Sequence, residues 1–375
     1  MSDHLLDPSH ARSVIKFGKD LENLRVPDPA LRWEEGSLEV PETIADRGFR
    51  AMHVAYILSH RCLSSLPERA ASLLLYPRLD ILVQGSALDV SATEDALRAR
   101  LAPLGDTAQL VFQLREELIK GETLEARIAA DSYLLAEALS LLEQSARGRP
   151  GIDARMREIS EGLRTDEARV LLTEASAVSP FRYWRVFSEA EPHSPSEVDY
   201  LYEVGKLRLE SRSGWQYIGI RHESVGAHSY RGAQLAPFLA QAYAQHHSVE
   251  ADPCVSAMHV AVHDVAEARG GDANRVAKAY VTVREEDAIH HQTLRHGLAG
   301  ERIRTMWLAV ENKTPHEGLI AKDGDYTEMV IEADSLISRG IAAAKDWITN
   351  TIPYLKTPLG KRIVQTLHED NEGPR

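Results

Sequence analysis

A chain of 375 residues is long enough for two domains that each bury a hydrophobic core. Its formal net charge of −13 disfavours nucleic acids and anionic membranes as partners, because both are themselves negatively charged. Two distant cysteines, Cys62 and Cys254, exclude a disulfide framework, and the absence of a signal pattern or a membrane-length apolar run predicts a cytoplasmic protein.

Apolar residues recur at helical spacing along the whole chain, whereas the alternation typical of strands is scarce. Helical windows occur at 50–58, 132–142, 231–244, 255–265 and 302–310. A stretch rich in Pro, Ser and Glu at 188–196 has the composition of a linker, and Ser196 is a candidate helix cap after it. We therefore predict an all-α protein with two domains, residues 1–190 and 191–375.

The two halves also align with each other. The matching segments are 41–55 with 222–236, 74–80 with 261–267, and 125–134 with 328–337. The offset between matching positions grows along the chain, which requires insertions in the second copy, and 316–325 is one candidate. Self-similarity of this length predicts two related helical bundles in tandem rather than a solenoid.

Three short segments of the second half carry metal-binding chemistry: AHS at Ala227–Ser229, HDVAE at His263–Glu267 and EADS at Glu332–Ser335. They supply two imidazoles and several carboxylates, a ligand set for one divalent ion with a general acid or base beside it. His263 and Glu267 share one helix edge, because they are four residues apart. The ligand types leave Mn, Co, Fe, Zn and Mg open as the metal.

From Arg212 to Ser335 the sequence resembles the HD-domain metal-dependent phosphohydrolases, particularly their 5'-deoxyribonucleotidase branch. That branch has an Arg and a Trp, then ES-V-x-E-HS, then HD-x-x-E with a nearby GD, and a late Asp. The corresponding stretches here are SRSGWQYIGI, HESVGAHS, HDVAEARGGD and EADS. Ala227 stands where the family has a glutamate, and Arg208 and Arg221 compete with Arg212 as the phosphate-binding arginine.

The resemblance implies a role for each matched residue. His228, His263, Asp264 and Asp334 are expected to bind the metal, and Glu267 is expected to be the catalytic carboxylate. Arg212 is expected to clamp the phosphate, Asp272 to lie near the phosphate and sugar, and Trp215 to stack on or wall off the sugar.

The resemblance implies a phosphohydrolase that converts a (deoxy)nucleoside 5'-monophosphate to nucleoside and phosphate by metal-activated water. Two alternatives stay open: hydrolysis of a (deoxy)nucleoside triphosphate, and a nucleotide-binding regulatory or scaffold protein whose metal site is vestigial. The sequence contains no GxxxxGK[ST], GxGxxG, HExxH or GxSxG motif. We expect a small nucleotide as the partner and either a monomer or a homodimer, because the internal repeat can replace a dimer contact.

The first half has lost most of the aligned side chains. Arg47 aligns with His228, Tyr76 with His263, Pro77 with Asp264, Asp131 with Asp334 and Asp80 with Glu267. We therefore expect no metal there and a structural role as an intramolecular partner. A second hypothesis has Arg47 binding a nucleotide phosphate, supported by Arg32 and Trp33 opposite the Arg212 and Trp215 pair.

Overall fold

The computed structural model describes residues 4–29, 31, 40–82, 90–181, 196–220 and 223–372. Within these residues every regular element is a helix, and the extended backbone forms isolated bridges only, Pro27 with Thr43 and Ser211 with Ser224. The prediction of an all-α fold is therefore confirmed. Among the described helices, none has the length and apolar character that would let it cross a membrane.

The first half contains eight α-helices in its described residues. They are α1 (Pro8–Asp20), α2 (Ile44–Arg61), α3 (Pro67–Ser72), α4 (Val90–Leu101), α5 (Thr107–Lys120), α6 (Leu124–Ala146), α7 (Asp153–Gly162) and α8 (Asp166–Ala177). A 3-10 helix, Leu21–Arg25, continues α1.

The second half continues the series after the undescribed stretch 182–195. Its helices are α9 (Glu197–Lys206), α10 (Ser213–Tyr217), α11 (Val225–His247), α12 (Pro253–Val262), α13 (Glu267–Gly270), α14 (Glu285–Thr293), α15 (Gly297–Asn312), α16 (His316–Ser338), α17 (Lys345–Thr351) and α18 (Pro358–Glu372). Ser196 caps α9, because its hydroxyl accepts from the backbone N–H of Asp199.

Helices of the two halves have corresponding bounds. Helices α6 and α16 have the same length, and the interval between their first residues equals the interval between the first residues of α8 and α18. Helices α2 and α11 each begin directly after a hydroxyl N-cap, Thr43 and Ser224, and these caps are aligned in the repeat. Residues 316–325, the candidate insertion, form the first turns of α16 rather than a loop.

The offset that relates α6 to α16 pairs Asp131 with Asp323 rather than with Asp334. Both paired carboxylates hold the turn that leads into the last described helix of their half. Asp131 accepts from the backbone N–H groups of Arg164 and Thr165, each at 2.8 Å. Asp323 accepts from those of Lys356 and Thr357, at 2.8 and 2.5 Å. The surviving aspartate of the first half therefore serves helix packing, as its counterpart does.

The halves pack closely and exchange their first helices. Helices α2 and α11 lie against each other, as do α3 and α12. Helix α1 packs on α11, α16 and α18 of the second half, and α9 packs on α2 and α8 of the first half. The predicted boundary near residue 190 lies outside the described residues, so the division into two domains stays a prediction.

Small residues permit this close approach at two places. A Cβ atom at Gly48 of α2 would collide with the ring of Tyr230 on α11, whose hydroxyl donates to Leu74 O at 2.6 Å. A Cβ atom at Gly205 of α9 would collide with the buried guanidinium of Arg50. Glycine at both positions lets helices of opposite halves pack around a large side chain.

A buried histidine joins three helices at this junction. His53 on α2 donates through Nε2 to Ala261 O on α12, at 3.0 Å, and its Nδ1 accepts from the Tyr200 hydroxyl on α9, at 3.0 Å. Burial lowers the pKa of His53 to about 4, although the bond to Ala261 opposes the shift. His53 is therefore neutral in the folded protein at physiological pH.

We predict that acid weakens the fold through His53. Its folded pKa lies below the unfolded value of 6.5, so no penalty exists above pH 6.5 and the penalty grows as the pH falls toward 4. Below pH 4, protonation of this histidine lowers the free energy of unfolding by roughly 3 kcal/mol. Denaturant unfolding of the wild type and of His53→Gln between pH 7.5 and 4 should show a flatter pH dependence for the variant. The exposed His246→Gln serves as the control, and equal slopes for all three proteins would contradict the assignment.

Candidate metal centre

Three neighbouring helices bring four side chains to one point. His228 lies in the first turn of α11, where the Ser224 cap accepts from the backbone N–H of Ala227 at 2.9 Å. His263 directly follows the last residue of α12, and Asp264 comes next in the tight turn before α13. Asp325 lies on α16, which packs against both α11 and α12.

The potential ligand atoms converge. His228 Nε2 lies 3.1 Å from Asp325 Oδ1 and 4.0 Å from Asp264 Oδ2. His263 Nε2 lies 3.0 Å from Asp264 Oδ2 and 3.8 Å from Asp325 Oδ1. Both imidazoles are almost fully buried, whereas the two carboxylates retain a small exposed area. The cluster therefore has a closed histidine side and an opening at its carboxylates.

The other nitrogen of each imidazole fixes the orientation of the ring. His228 Nδ1 donates to the carboxylate of Glu328, which is itself buried. His263 Nδ1 donates to the backbone carbonyl of Val260 at 2.6 Å. These contacts direct both Nε2 atoms at the cluster, which is the arrangement that metal-binding histidines adopt.

The charges of the cluster are strongly coupled. Burial and Arg212 lower the pKa of His228, but Glu328 and Asp325 outweigh them and raise it to about 9. Burial also lowers the pKa of His263, but Asp264 and Asp325 raise it to about 10. Burial raises the pKa of Asp264, yet His263 and Arg212 hold it well below its usual range. The site is therefore built for added positive charge, which protons or a cation can supply.

A buried nitrogen without a hydrogen-bond partner indicates that a metal fits the cluster. His263 Nε2 is buried and has no hydrogen-bond partner, although Asp264 Oδ2 lies only 3.0 Å away. A buried polar atom without a partner is costly, and coordination to a shared cation removes that cost. Two imidazoles and two carboxylates form a donor set of the borderline kind that binds divalent transition metals. The residues therefore fit one divalent ion.

The structure does not bring Asp334 to this cluster, and the prediction that it is the fourth ligand needs correction. Asp334 Oδ2 lies 2.5 Å from Lys19 Nζ, and its Oδ1 accepts from Asn371 Nδ2 at 2.9 Å. Asp334 follows Asp325 by two and a half turns of α16, so it lies on the opposite face and about 13.5 Å farther along the axis. Asp325 lies at the cluster instead, 3.1 Å from His228 Nε2 and 3.8 Å from His263 Nε2.

The predicted catalytic and phosphate-binding groups surround the open side of the cluster. Arg212 Nη1 donates to Asp264 Oδ2 at 3.2 Å and lies 3.7 Å from Asp272 Oδ2. Asp272 also accepts from the backbone N–H of Ser213 at 2.8 Å. Burial, with Asp264 and Asp272 nearby, raises the pKa of Glu267 to about 10, and its Oε2 is buried without a hydrogen-bond partner. Glu267 is thus placed to hold a proton at the edge of the site.

Trp215 and Arg208 are both engaged in contacts within the protein, which leaves little of either side chain available to a ligand. The Trp215 indole is buried, donates to Glu223 at 3.0 Å and packs against Trp347 with ring centroids 5.0 Å apart. Trp215 therefore lies in the wall of the site, with little of its ring free to stack on a ligand. Arg208 donates to Val40 O at 2.7 Å, in the first half, and Arg221 lies outside the described residues.

A cleft of about 690 Å³ opens from the cluster. Its basic and aromatic lining groups are Arg212, Arg275, Lys278, Lys322, Trp215, Tyr217, Tyr326, Trp347 and Tyr354. Lys322 Nζ lies 3.1 Å from Asp325 Oδ2 and 5.5 Å from the centroid of the Tyr326 ring. These three residues, missed in the sequence, share a helix face at spacings of three and four, and that spacing is the signal that could have revealed them.

A guanidinium occupies the corresponding place in the first half. Arg47 donates to Asp28 at 2.9 Å and to Glu137 at 2.6 Å, and its guanidinium lies 4.2 Å from the centroid of the Tyr133 ring. Tyr76 donates its hydroxyl to Gln234 O at 2.6 Å. Because Arg47 is buried between carboxylates, the contacts do not favour the hypothesis that it binds phosphate. Arg32 and Trp33 lie outside the described residues.

Comparison with known proteins assigns the family. Residues 204–362, which include the whole cluster, match the sequence profile of the HD domain. Over 142 residues the chain is 30% identical to 5'-deoxynucleotidase HDDC2 of Dictyostelium discoideum, covering 75% of that protein and 36% of this chain. The chain belongs to the HD-domain family. It is also 26% identical to 5'-deoxynucleotidase YGK1 of Saccharomyces cerevisiae over 196 residues, covering 86% of that protein and 49% of this chain.

Solved structures resemble part of this HD-domain chain. A conserved hypothetical protein from Pyrococcus furiosus is 24% identical with a TM-score of 0.40, and the match covers 47% of this chain and 99% of that one. The PH0347 protein from Pyrococcus horikoshii is 19% identical with a TM-score of 0.39, and the match covers 46% of this chain and 98% of that one.

We predict that Asp325, and not Asp334, controls metal content. Asp325→Asn removes a charged ligand atom from the HD-domain cluster, so metal retention after dialysis should fall at least tenfold. Asp334→Asn lies on the same helix and loses only the contacts to Lys19 and Asn371, so it should retain metal like the wild type. Elemental analysis before and after chelator treatment provides the measurement. Metal loss in Asp334→Asn alone would reinstate the ligand predicted from the sequence.

Proposed function

We propose that the protein is a metal-dependent phosphohydrolase of nucleotides, and that it releases phosphate from a (deoxy)nucleoside 5'-monophosphate. The observation that carries this proposal is the His228, His263, Asp264 and Asp325 cluster at the inner end of a cleft with basic and aromatic walls. Clefts of this volume hold small organic ligands. The two curated relatives are named as 5'-deoxynucleotidases, which supports the same class of substrate.

The cluster supplies the electrostatic part of the reaction. A bound divalent ion would neutralise phosphate charge and make water a better nucleophile. Arg212 lines the cleft beside the cluster, and Asp264 and Asp272 fix one of its amino groups. Its remaining N–H donors can bind phosphate oxygens and stabilise the charge that develops during the displacement.

Glu267 supplies the proton transfer. It lines the same cleft, and one of its carboxyl oxygens has no hydrogen-bond partner. This oxygen can exchange a proton with the attacking water or with the leaving 5' oxygen. Asp272 fixes the backbone at Ser213 and contacts Arg212, so we assign it to positioning the arginine rather than to proton transfer.

The aromatic part of the cleft wall favours a ligand with a flat ring. Trp347 is partly exposed and packs against the buried Trp215, and Tyr326 packs against Tyr354 with ring centroids 5.9 Å apart. Aromatic rings with an exposed face stack readily on nucleobases. We therefore assign the nucleoside to this wall and its phosphate to the Arg212 end.

A triphosphate is the second candidate substrate. Arg275 and Lys278 line the cleft in addition to Arg212, and these cations could bind phosphates beyond the first. Asp346 and Asp272 line the same cleft and repel additional negative charge, which favours the monophosphate. The regulatory alternative is less well supported, because the potential ligand atoms still converge in the second half.

We also propose that the first half is a degenerate copy of the HD domain that acts as an intramolecular partner. Its support is the shared helix order with matching helix bounds and the reciprocal packing of α1 and α9. Such a partner covers the surface that a second subunit would otherwise cover, which favours a monomer.

We predict that phosphate release requires both a divalent metal and Glu267. A panel of nucleoside mono-, di- and triphosphates with Mn²⁺, Co²⁺, Zn²⁺, Mg²⁺ or chelator identifies the substrate and the active metal. Glu267→Gln should lower kcat by about 10² to 10⁴-fold and should retain metal, because it removes a proton donor but no ligand. Asp80→Asn, at the aligned position of the first half, is the matched control and should keep full activity. Turnover that survives chelator or Glu267→Gln would refute the mechanism.

A further inference from the structure

A buried ion network lies directly behind His228. Glu328 accepts from His228 Nδ1, and Arg231 Nη1 lies 2.8 Å from the other oxygen of Glu328. The same Arg231 atom lies 2.8 Å from Glu223 and 2.8 Å from Glu332. The side chains of these residues are at most 1% exposed. The orientation of His228 therefore depends on how three buried carboxylates share their cations.

The second guanidinium in this network comes from the first half of the chain. Arg25, at the end of the 3-10 helix after α1, lies 2.9 Å through Nη2 from Glu332 and 3.5 Å through Nη1 from Glu223. Its side chain is only 11% exposed. Arg25 contacts Glu223 and Glu332, the same two carboxylates to which Arg231 donates hydrogen bonds, and it also pairs with Glu22 at 3.1 Å. Arg231 is equally close to Glu328, so Arg25 supplies a second positive charge to the carboxylates that share Arg231 with Glu328.

Several further ion pairs hold the segment that carries Arg25. Arg12 donates to Asp370 at 2.9 Å, Lys19 lies 2.5 Å from Asp334, and Glu22 pairs with Arg339. All three contacts join α1 or the following 3-10 helix to α16, α18 or the turn after α16. Asp334, which does not reach the metal cluster, makes only one of these contacts, and the other two hold the segment without it.

We propose that Arg25 is a positioning residue which acts from the first half, through Glu332, Glu223 and Arg231, to hold Glu328 against His228 and so to aim His228 Nε2 at the metal. The inference rests on the metal site of the proposed function. Without Arg25, Arg231 alone would compensate Glu223, Glu332 and Glu328, and its attraction to Glu328 would be shared with two carboxylates that have lost their second cation. The imidazole then loses its fixed direction, and the metal is held less tightly.

The chain contains its own matched control. Arg208 follows α9 as Arg25 follows α1, and it reaches in the opposite direction, from the second half into the first. It donates to Val40 O at 2.7 Å and lies 3.9 Å from Glu143, which also accepts from Arg50 at 2.9 Å. The residue aligned with His228 in that half is Arg47, so Arg208 has no corresponding imidazole to orient.

The test compares the wild type with Arg25→Gln, Arg25→Lys and Arg208→Gln in the full-length chain. Mn²⁺ titration calorimetry gives the Kd, the absorption spectrum of the Co²⁺-loaded protein reports ligand geometry, and thermal unfolding reports stability. We expect Arg25→Gln to raise the Kd about 10- to 100-fold and to change the Co²⁺ spectrum. Arg25→Lys keeps the charge and should recover part of the affinity. Arg208→Gln should lower stability comparably and leave Kd and spectrum unchanged.

Three results would overturn the proposal, and each has a distinct meaning. Equal effects of Arg25→Gln and Arg208→Gln on the Kd would reduce Arg25 to a purely structural contact. If Arg25→Gln does not fold, an Arg25→Lys protein with wild-type Kd and wild-type Co²⁺ spectrum would show that the fork-shaped contact does not position the ligand. Absence of metal from the wild type would remove the metal centre itself, and with it the proposed function.

Discussion

Buried charges of opposite sign meet where α11 packs against α16, and their pairing determines how these two helices fit together. Helix α11 is buried over most of its length, yet it carries His228 and Arg231 one turn apart. Buried ionic groups are tolerated only when they are paired, and α16 supplies the partners Asp325, Glu328 and Glu332 at spacings of three and four. The same pairing fixes the rotation of both helices, and that rotation decides which side chains reach the cleft.

This dependence on helix rotation separates what the sequence could predict from what it could not. The motifs around His228 and His263 identified Asp264, Glu267, Arg212 and Asp272 as neighbours, and the structure brings these residues together. Spacing within one segment places His263 beside Glu267, whereas Arg212 and Asp272 were implied by the family resemblance. The carboxylate that α16 contributes depends on the face that α16 turns toward α11. Asp325 and Asp334 lie on opposite faces of that helix, and the motif EADS favoured the wrong one.

The first half pairs its buried charges among side chains, at a place that the sequence alignment relates to the candidate site. At the place that aligns with His228, the Arg47 guanidinium is buried against Asp28 and Glu137 and lies over Tyr133. Tyr133 occupies the position on α6 that Asp325 occupies on α16 when the two helices are aligned from their first residues. The Arg47 guanidinium has carboxylate partners within the protein and needs no further ligand. In the second half, His263 Nε2 has no hydrogen-bond partner. That difference is what distinguishes a packing element from a candidate site.

Because α1 packs on the second half and α9 packs on the first half, the candidate site depends on residues outside the half that contains its potential ligands. Linker composition and the match at 204–362 both describe a second half that contains its own site. The buried network behind His228 nevertheless includes Arg25, and Lys19 neutralises the Asp334 carboxylate that the second half exposes toward α1. A second half without the segment that carries Lys19 and Arg25 would hold three buried carboxylates with one guanidinium fewer, and such groups either rearrange or take up water and protons. The first half is therefore tied to the candidate site by electrostatics as well as by packing, so the site depends on residues from both halves of the chain.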